Sequence, residues 1–190
     1  MTETSGKTKP LSPAVRSFVL HWGDLGGQWG VNRSVSQIHA LLFVSEKPLT
    51  ADEIAETLEM ARSNVSNSIK ELLGWDLIRR ASVMGDRRDH FAAEADIWEM
   101  VGRIAAGRKQ REIDPAVKAL RACVAQARED PSVHPVAAKR LREMLEFTEM
   151  IDTWHGQMAK LPKATLAKLI RYGTKLAGFL PKSGFLPKSK

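Results

Sequence analysis

The sequence predicts an all-α protein with one small β-hairpin. Three observations lead to this prediction. Apolar residues recur at intervals of three and four over most of the chain, helix-capping signals precede these segments, and only two short stretches favour strands. The alternation of strands and helices that is typical of a parallel sheet is missing from the sequence.

Length and composition are compatible with a folded protein that has an anionic partner. The chain has 190 residues, 43% of them hydrophobic, which is enough for one domain or for a domain with an appendage. The net charge of +7 suits a nucleic acid or an anionic surface. No Asp or Glu follows Asp152, whereas eight Lys and Arg residues do, so the first 152 residues carry 21 basic and 22 acidic side chains. A positive patch in these 152 residues therefore requires local clustering of cations.

Cysteine usage and the motif search limit the function classes. Cys123 is the single cysteine, so no intrachain disulfide can form, and we interpret it as a small buried side chain rather than a redox sensor. The five histidines lack metal-binding spacing, and no phosphate loop, nucleophile elbow or catalytic carboxylate pair is present. No apolar run is long enough for a membrane span. We therefore expect a cytoplasmic protein that is not an enzyme, with no cofactor, metal site or membrane partner.

The first predicted helix follows a flexible leader, residues 1–11. Ser12 is its N-cap and Pro13 its first residue, and Gly26-Gly27 is expected to end or fray it. Its apolar stripe consists of Val15, Phe18, Trp22, Leu25 and Trp29. An aromatic stripe of this kind is usually core or dimer interface, and we interpret Trp22, Leu25 and Trp29 as a dimerisation or effector face, since aromatic rings can also cage a cation.

The next elements are predicted from their boundaries. Two capping boxes, Ser34 to Gln37 and Thr50 to Glu53, each start a helix. A third helix covers about 61–74. The predicted hairpin has strands 77–83 and 89–94 joined by the turn MGDRRD, and the later helices cover about 96–112, 115–129, 135–159 and 163–177. A flexible basic tail, 179–190, repeats FLPKS twice.

The two helices around residues 51–74 have the arrangement of a helix-turn-helix. They are separated by a three-residue turn, and the small residue Ala55 lies where the helices must cross closely. Short polar and basic side chains on the second helix match the hydrogen-bonding edges of the DNA major groove. The candidate DNA-binding residues on this helix are Arg62, Ser63, Asn64, Ser66, Asn67 and Lys70. The alternative is a solvated helix face.

The hairpin supplies a second candidate contact. Arg87 and Arg88 are predicted at its tip, where an arginine can enter a narrow minor groove. Asp86 is predicted to hold such an arginine in position. The alternative is an ordinary charged turn.

A family resemblance agrees with these interpretations. The segment LTADEIAETLEMARSNVSNSIKELLGWDLIRRASVMGDRRDHF resembles the winged helix-turn-helix of MarR-type regulators. With the preceding HWGDLGGQWGVNRSVSQIHALLFVSEKPLT it resembles the GbsR-like branch of that superfamily, over residues 14–112. The resemblance implies reading roles for Arg62, Ser63, Asn64, Ser66, Asn67, Asp86 and Arg88. Two positions depart from the pattern: Glu59 stands where glycine is common, and Ala61 where a serine or threonine caps the helix.

The resemblance also implies a bacterial, nucleoid-associated transcription factor. Such proteins are homodimeric, usually repressors, and in some cases relieved by a small-molecule effector. We expect a dimerising N-terminal helix (12–30), a winged helix-turn-helix DNA-binding domain (31–96) and a helical dimerisation and effector region (97–178). Two recognition helices about 34–36 Å apart would bind a pseudo-palindromic operator in double-stranded DNA. The rival hypothesis is a winged helix that acts as a protein-interaction module.

Overall fold

The structure is a computed structural model that describes the backbone of residues 10–179 and the side chains of residues 10–173. The predicted leader and basic tail lie outside the described residues, apart from residues 10, 11 and 179. The chain divides into two compact units, Met1–Gly107 and Arg108–Lys190. Each unit is described by itself.

The first unit is built from helices around a small antiparallel sheet, which confirms the predicted fold class of an all-α protein with a β-wing. In chain order its elements are α1 (Pro13–Gln28), α2 (Arg33–Val44), β1 (Leu49–Thr50), α3 (Ala51–Leu58), α4 (Arg62–Gly74), β2 (Ile78–Val83), β3 (Asp86–Ala93) and α5 (Ile97–Arg108). The core under α3 and α4 contains Ile38, Ile54, Val65 and Leu72, none of which is more than 1% exposed.

The sheet has the strand order β1-β3-β2, with β3 in the centre. Strand β3 begins at Asp86, three residues before the predicted 89, so the prediction that Arg87 and Arg88 form the tip of the hairpin is wrong. Val83 pairs with Asp86, and the connection is the two-residue turn Met84-Gly85. Gly85 has a φ of +82°, a left-handed conformation that glycine adopts without steric cost. This conformation allows the short turn.

Strand β1 was not predicted, because two residues are too few for a period-two pattern. Leu49 pairs with Phe91 and Thr50 with His90. Thr50 also begins α3 as its N-cap, and the predicted capping box with Glu53 is confirmed. The backbone N–H of Glu53 donates to Thr50 Oγ1 at 3.2 Å, and the backbone N–H of Thr50 donates to the Glu53 carboxylate at 2.7 Å.

Helices α1 and α2 approach closely at two glycines. The prediction that Gly26-Gly27 ends the first helix is wrong, since α1 continues to Gln28. A Cβ atom on Gly26 would lie 1.9 Å from Ser36 Oγ, and one on Gly23 would lie 2.5 Å from Gln37 Cγ. The predicted capping by Ser34 is also wrong. Asn32 caps α2, accepting a hydrogen bond from the backbone N–H of Ser34 at 2.8 Å.

In its described residues the second unit consists of helices joined by short turns. A π-helical turn (Lys109–Ile113) leads into α6 (Asp114–Glu129), and α7 (Pro135–Met158) and α8 (Lys163–Phe179) follow. The helix predicted for 96–112 therefore ends in π-helical rather than α-helical geometry. Asp114 has helical dihedral angles and makes no N-cap, because the preceding residue is helical as well. Cys123 is exposed, so its interpretation as a buried side chain is wrong.

Helix α7 separates its apolar residues into two faces. Leu141, Leu145 and Ile151 are half-buried in a unit where α7 packs against α6. Met144, Phe147 and Trp154 are between 54% and 60% exposed. The apolar surface of α7 is thus wider than the part of it that is covered within this unit. No helix in the described part of the chain is long and apolar enough to cross a membrane.

Candidate nucleic-acid interface

The turn between α3 and α4 sets the angle of the candidate recognition helix. Glu59, where glycine is common in the family, has a left-handed φ of +53°, and the backbone N–H of Met60 donates to the Ala55 carbonyl at 2.9 Å. Such a conformation costs a residue other than glycine about 1 kcal/mol. Ala55 packs against the core there, as predicted for the small residue at the crossing. The turn therefore keeps its geometry without a glycine.

The two faces of α4 have the predicted character. Val65, Ser68, Ile69 and Leu72 are buried and attach the helix to the core. The candidate DNA-binding residues fall into two groups: Arg62, Ser63, Asn67 and Lys70 are exposed, whereas Asn64 and Ser66 are half-buried. The exposed group leaves the N-terminal half of α4 available to an external partner.

Arg62 is the first residue of α4 and is held by two side chains. Its Nε donates to Asp52 Oδ1 of α3 at 2.5 Å, and its guanidinium also donates to Ser66 Oγ at 2.7 Å. The sequence analysis missed Asp52, because its contact with Arg62 depends on how α3 and α4 cross. The Ser66 hydroxyl is thus occupied as an acceptor for Arg62.

Asn64 connects α4 to α2. Its side-chain amide donates to Ser34 Oγ at 2.9 Å, a contact between residues thirty positions apart. Neither Asn64 nor Ser63 caps α4, whose N-cap residue Ala61 makes no side-chain hydrogen bond. Of the two asparagines on this helix, Asn67 is therefore the more available for a base edge.

In the wing, Arg88 lies against Asp86, the contact that the sequence predicted. Arg88 Nε lies 3.0 Å from each Asp86 carboxylate oxygen, and the backbone N–H of Arg88 also donates to Asp86 Oδ1 at 3.0 Å. These hydrogen bonds hold the pKa of the Asp86 carboxyl well below its usual range. Below the pair, His90 is buried, with Nδ1 2.9 Å from the Arg88 carbonyl oxygen. The Arg88 guanidinium is held by Asp86 through Nε and Nη2, while the Arg88 side chain is 59% exposed.

A groove of about 370 Å³ separates α4 from the wing. Four cationic side chains and two acids line it: Arg62, Lys70, Arg80, Arg88, Asp52 and Asp89. Arg87 is exposed on the same strand as Arg88. The local clustering that a positive patch requires is thus present between the two candidate reading elements.

The aromatic stripe of α1 does not form one face. Trp22 is half-buried and lines an apolar cavity of about 250 Å³ together with residues of α1, α2 and α5, namely Phe18, His39, Ala40, Phe43, Ile97 and Met100. Leu25 is half-buried, and Trp29 is 59% exposed at the end of α1. The sequence analysis interpreted Trp22 as part of a dimerisation or effector face, and it missed His39 and Phe43 because these residues come from another helix.

Comparison with known proteins identifies the central segment. Residues 29–89 match the MarR family model. The HTH-type transcriptional repressor GbsR of Bacillus subtilis (strain 168) is 25% identical over 92 residues, 48% of this chain and 51% of the relative. The putative HTH-type transcriptional regulator YvaV of the same organism is 22% identical over 71 residues, 37% of this chain and 40% of the relative. The chain thus spans about half the length of these relatives or less.

A solved structure supports the same fold. The crystal structure of a transcriptional regulator superimposes with a TM-score of 0.53 at 22% sequence identity, over 77% of this chain and 96% of that one. The matched segment contains the helix-turn-helix and the start of the wing strand β3. Residues 29–89 of this chain therefore match the MarR family and lie in a winged helix-turn-helix fold, as the resemblance to MarR-type and GbsR-like regulators predicted.

Proposed function

We propose that this protein is a sequence-specific DNA-binding transcriptional regulator that acts as a homodimeric repressor by occluding its operator. The observation that carries the proposal is the pairing of two reading elements in one unit. Helix α4 presents Arg62, Asn67 and Lys70, and the wing presents Arg88, on either side of one basic groove. The family of residues 29–89 and the repressor named among the relatives support the same function.

The chemistry of α4 suits a major-groove reader. Arg62 has a planar fork of donors for guanine, Asn67 has a donor and an acceptor for adenine, and Lys70 suits a phosphate. Ser63 is exposed and short enough to bind a base or a phosphate. In the wing, the acid that binds the Arg88 guanidinium limits its rotation, which suits entry into a narrow minor groove.

Exposed apolar side chains support self-association. Met144, Phe147 and Trp154 lie at helical spacing on α7, and each is more than half exposed. A homodimer built through the helical region and α1 would cover such surfaces and present two copies of α4 to a pseudo-palindromic operator. The cavity beside Trp22 is the proposed place for a small-molecule effector, because it borders both α1 and α2. An effector there would act by changing the spacing of the two reading elements.

Selection of bound duplexes from a random DNA pool tests the proposal. We expect enrichment of a pseudo-palindrome with half-sites about one helical turn apart, 10–10.5 base pairs. We also expect the logarithm of the binding constant to fall with the logarithm of salt concentration, by about 0.9 for each phosphate neutralised. Failure to enrich any sequence, together with binding that does not respond to salt, would overturn the proposal in favour of a protein-interaction module.

Removal of Arg88 is expected to weaken operator binding. Because Arg88 is the wing arginine whose guanidinium Asp86 holds in place, Arg88→Ala should raise Kd about tenfold, roughly 1.4 kcal/mol. Fluorescence anisotropy with the selected duplex at fixed salt concentration measures the Kd of each variant. Arg79→Ala is the matched control, since it removes an equal charge from an exposed position in the same sheet. Equal losses in the two variants would mean that only net charge matters and would contradict a wing contact.

A further inference from the structure

Asp52 occupies an unusual position for an acid on a DNA-binding surface. It lies in the first turn of α3 and accepts a hydrogen bond from Arg62 Nε at 2.5 Å. Both side chains are more than half exposed, 51% for Arg62 and 66% for Asp52. An ion pair this exposed contributes little to folding, and a carboxylate beside the proposed phosphate sites opposes DNA binding. The helix dipole favours an acid in the first turn of α3, but it does not account for the hydrogen bond that Asp52 accepts from Arg62.

The hydrogen bonds of Arg62 restrict the direction of its guanidinium. Of the five N–H groups of an arginine side chain, one is used by Asp52 and one by Ser66. The remaining three include both N–H groups of the terminal nitrogen that neither partner contacts. Two of these free donors suffice for a bidentate contact with guanine O6 and N7. Because the acid and the hydroxyl come from two different helices, the guanidinium is oriented before any ligand binds.

The local backbone increases the need for such a partner. Arg62 stands at the positive end of the α4 dipole, where a cation is disfavoured, and the preceding Ala61 makes no side-chain cap. Without Asp52, electrostatic repulsion would direct the long side chain of Arg62 away from the helix end and toward the nearest phosphate. The carboxylate thus opposes a loose phosphate contact and favours one fixed direction.

We propose that Asp52 is a specificity-determining positioning residue, which directs Arg62 toward a base edge and lowers affinity for DNA of arbitrary sequence. The proposal rests on the proposed function, since it concerns how the same surface discriminates between sequences. Asp52 touches no base in this scheme and acts through Arg62. Its removal therefore changes discrimination and overall DNA affinity in opposite directions.

The variant Asp52→Ala separates these effects. We expect its affinity for random duplex to rise, with a salt slope steeper by about 0.9, because the freed arginine neutralises one more phosphate. The ratio of operator to random affinity is expected to fall about tenfold, within the range of one bidentate contact. Asp52→Asn keeps an acceptor for Arg62 Nε, so it should lose less discrimination than Asp52→Ala. The control Glu149→Ala removes an acid paired with Arg121 at 2.8 Å in the second unit and should leave the ratio unchanged.

A double-mutant cycle tests whether Asp52 acts through Arg62. In an Arg62→Ala background, Asp52→Ala should leave the ratio of affinities unchanged. A merely structural role would instead weaken binding to both duplexes together, and thermal unfolding would show it. Wild-type discrimination in a folded Asp52→Ala protein would overturn the inference but leave the proposed function intact. If the wild-type protein itself bound operator and random duplex equally well, the proposed function would be overturned.

Discussion

Substituting Gly26 with alanine is expected to lower the free energy of unfolding by about 2 kcal/mol. The added Cβ would lie 1.9 Å from Ser36 Oγ and 2.6 Å from Ser36 Cβ. Rotating the hydroxyl removes the first clash but not the second, so the backbones of α1 and α2 must separate. Overpacking of this kind typically costs 1–3 kcal/mol, and the higher helix propensity of alanine offsets only part of it. Urea unfolding of the purified variant measures the change.

The chain contains a matched control one residue away. Gly27 lies in the same helix, and a Cβ there would meet no atom within 4 Å. Gly27→Ala should therefore stabilise the protein by about 0.5–1 kcal/mol through helix propensity alone. If Gly26→Ala were as stable as Gly27→Ala, the close approach of α1 and α2 would not exist in solution.

Acidification from pH 6.5 to pH 4 is expected to remove about 3 kcal/mol of stability through His39 alone. Burial lowers the pKa of His39 from 6.5 to about 4, and its Nε2 atom has no hydrogen-bond partner among the described residues. The rings of Trp22 and Phe43 lie 6.5 and 6.4 Å from the imidazole, centroid to centroid. The folded protein therefore keeps the ring neutral in this pH range, while the unfolded chain takes up a proton. Stability from His39 is complete above pH 6.5 and is lost as the pH falls to 4.

Comparing variants isolates this contribution from the titrating carboxylates. His39→Phe replaces the imidazole with an aromatic ring that has no titrating group, so its stability should depend less on pH between 4 and 6.5 than that of the wild type. The control His21→Phe changes an exposed histidine of α1 and should retain the wild-type dependence. Parallel stability curves for all three proteins would show that His39 titrates normally and is not held neutral by burial.

Local signals in the sequence predicted the helices well and their ends less well. The capping box at Thr50 and the buried face of α4 need only neighbouring residues, and both were predictable. The cap at Asn32 was missed because Ser34 two residues later offers an equally good pattern. Gly26 was interpreted as a helix end. A single sequence does not distinguish a glycine that ends a helix from one that allows a second helix to pack closely.

The sequence predicted which residues belong to the candidate site, but it did not predict most of the contacts between them. The exposed residues of α4 follow from helical spacing, and the Asp86–Arg88 contact joins residues two positions apart. The pairing of Arg62 with Asp52 spans ten residues and depends on the crossing of two helices. The Asn64–Ser34 contact spans thirty. No periodic pattern encodes such contacts, because they arise only when the core fixes how the helices pack.

Thr50 belongs to two elements at once, pairing with His90 in the sheet and capping α3. Strand β1, which pairs with the wing strand β3, and the first helix of the motif therefore share Thr50, and no flexible joint separates β1 from this helix. If the unit reads DNA as proposed, the distance between its major-groove contact and its minor-groove contact is constant. A base pair inserted inside one half-site would shift one contact by about 3.4 Å with no means of adjustment. Natural binding sites should accordingly vary in the interval between half-sites more than within them.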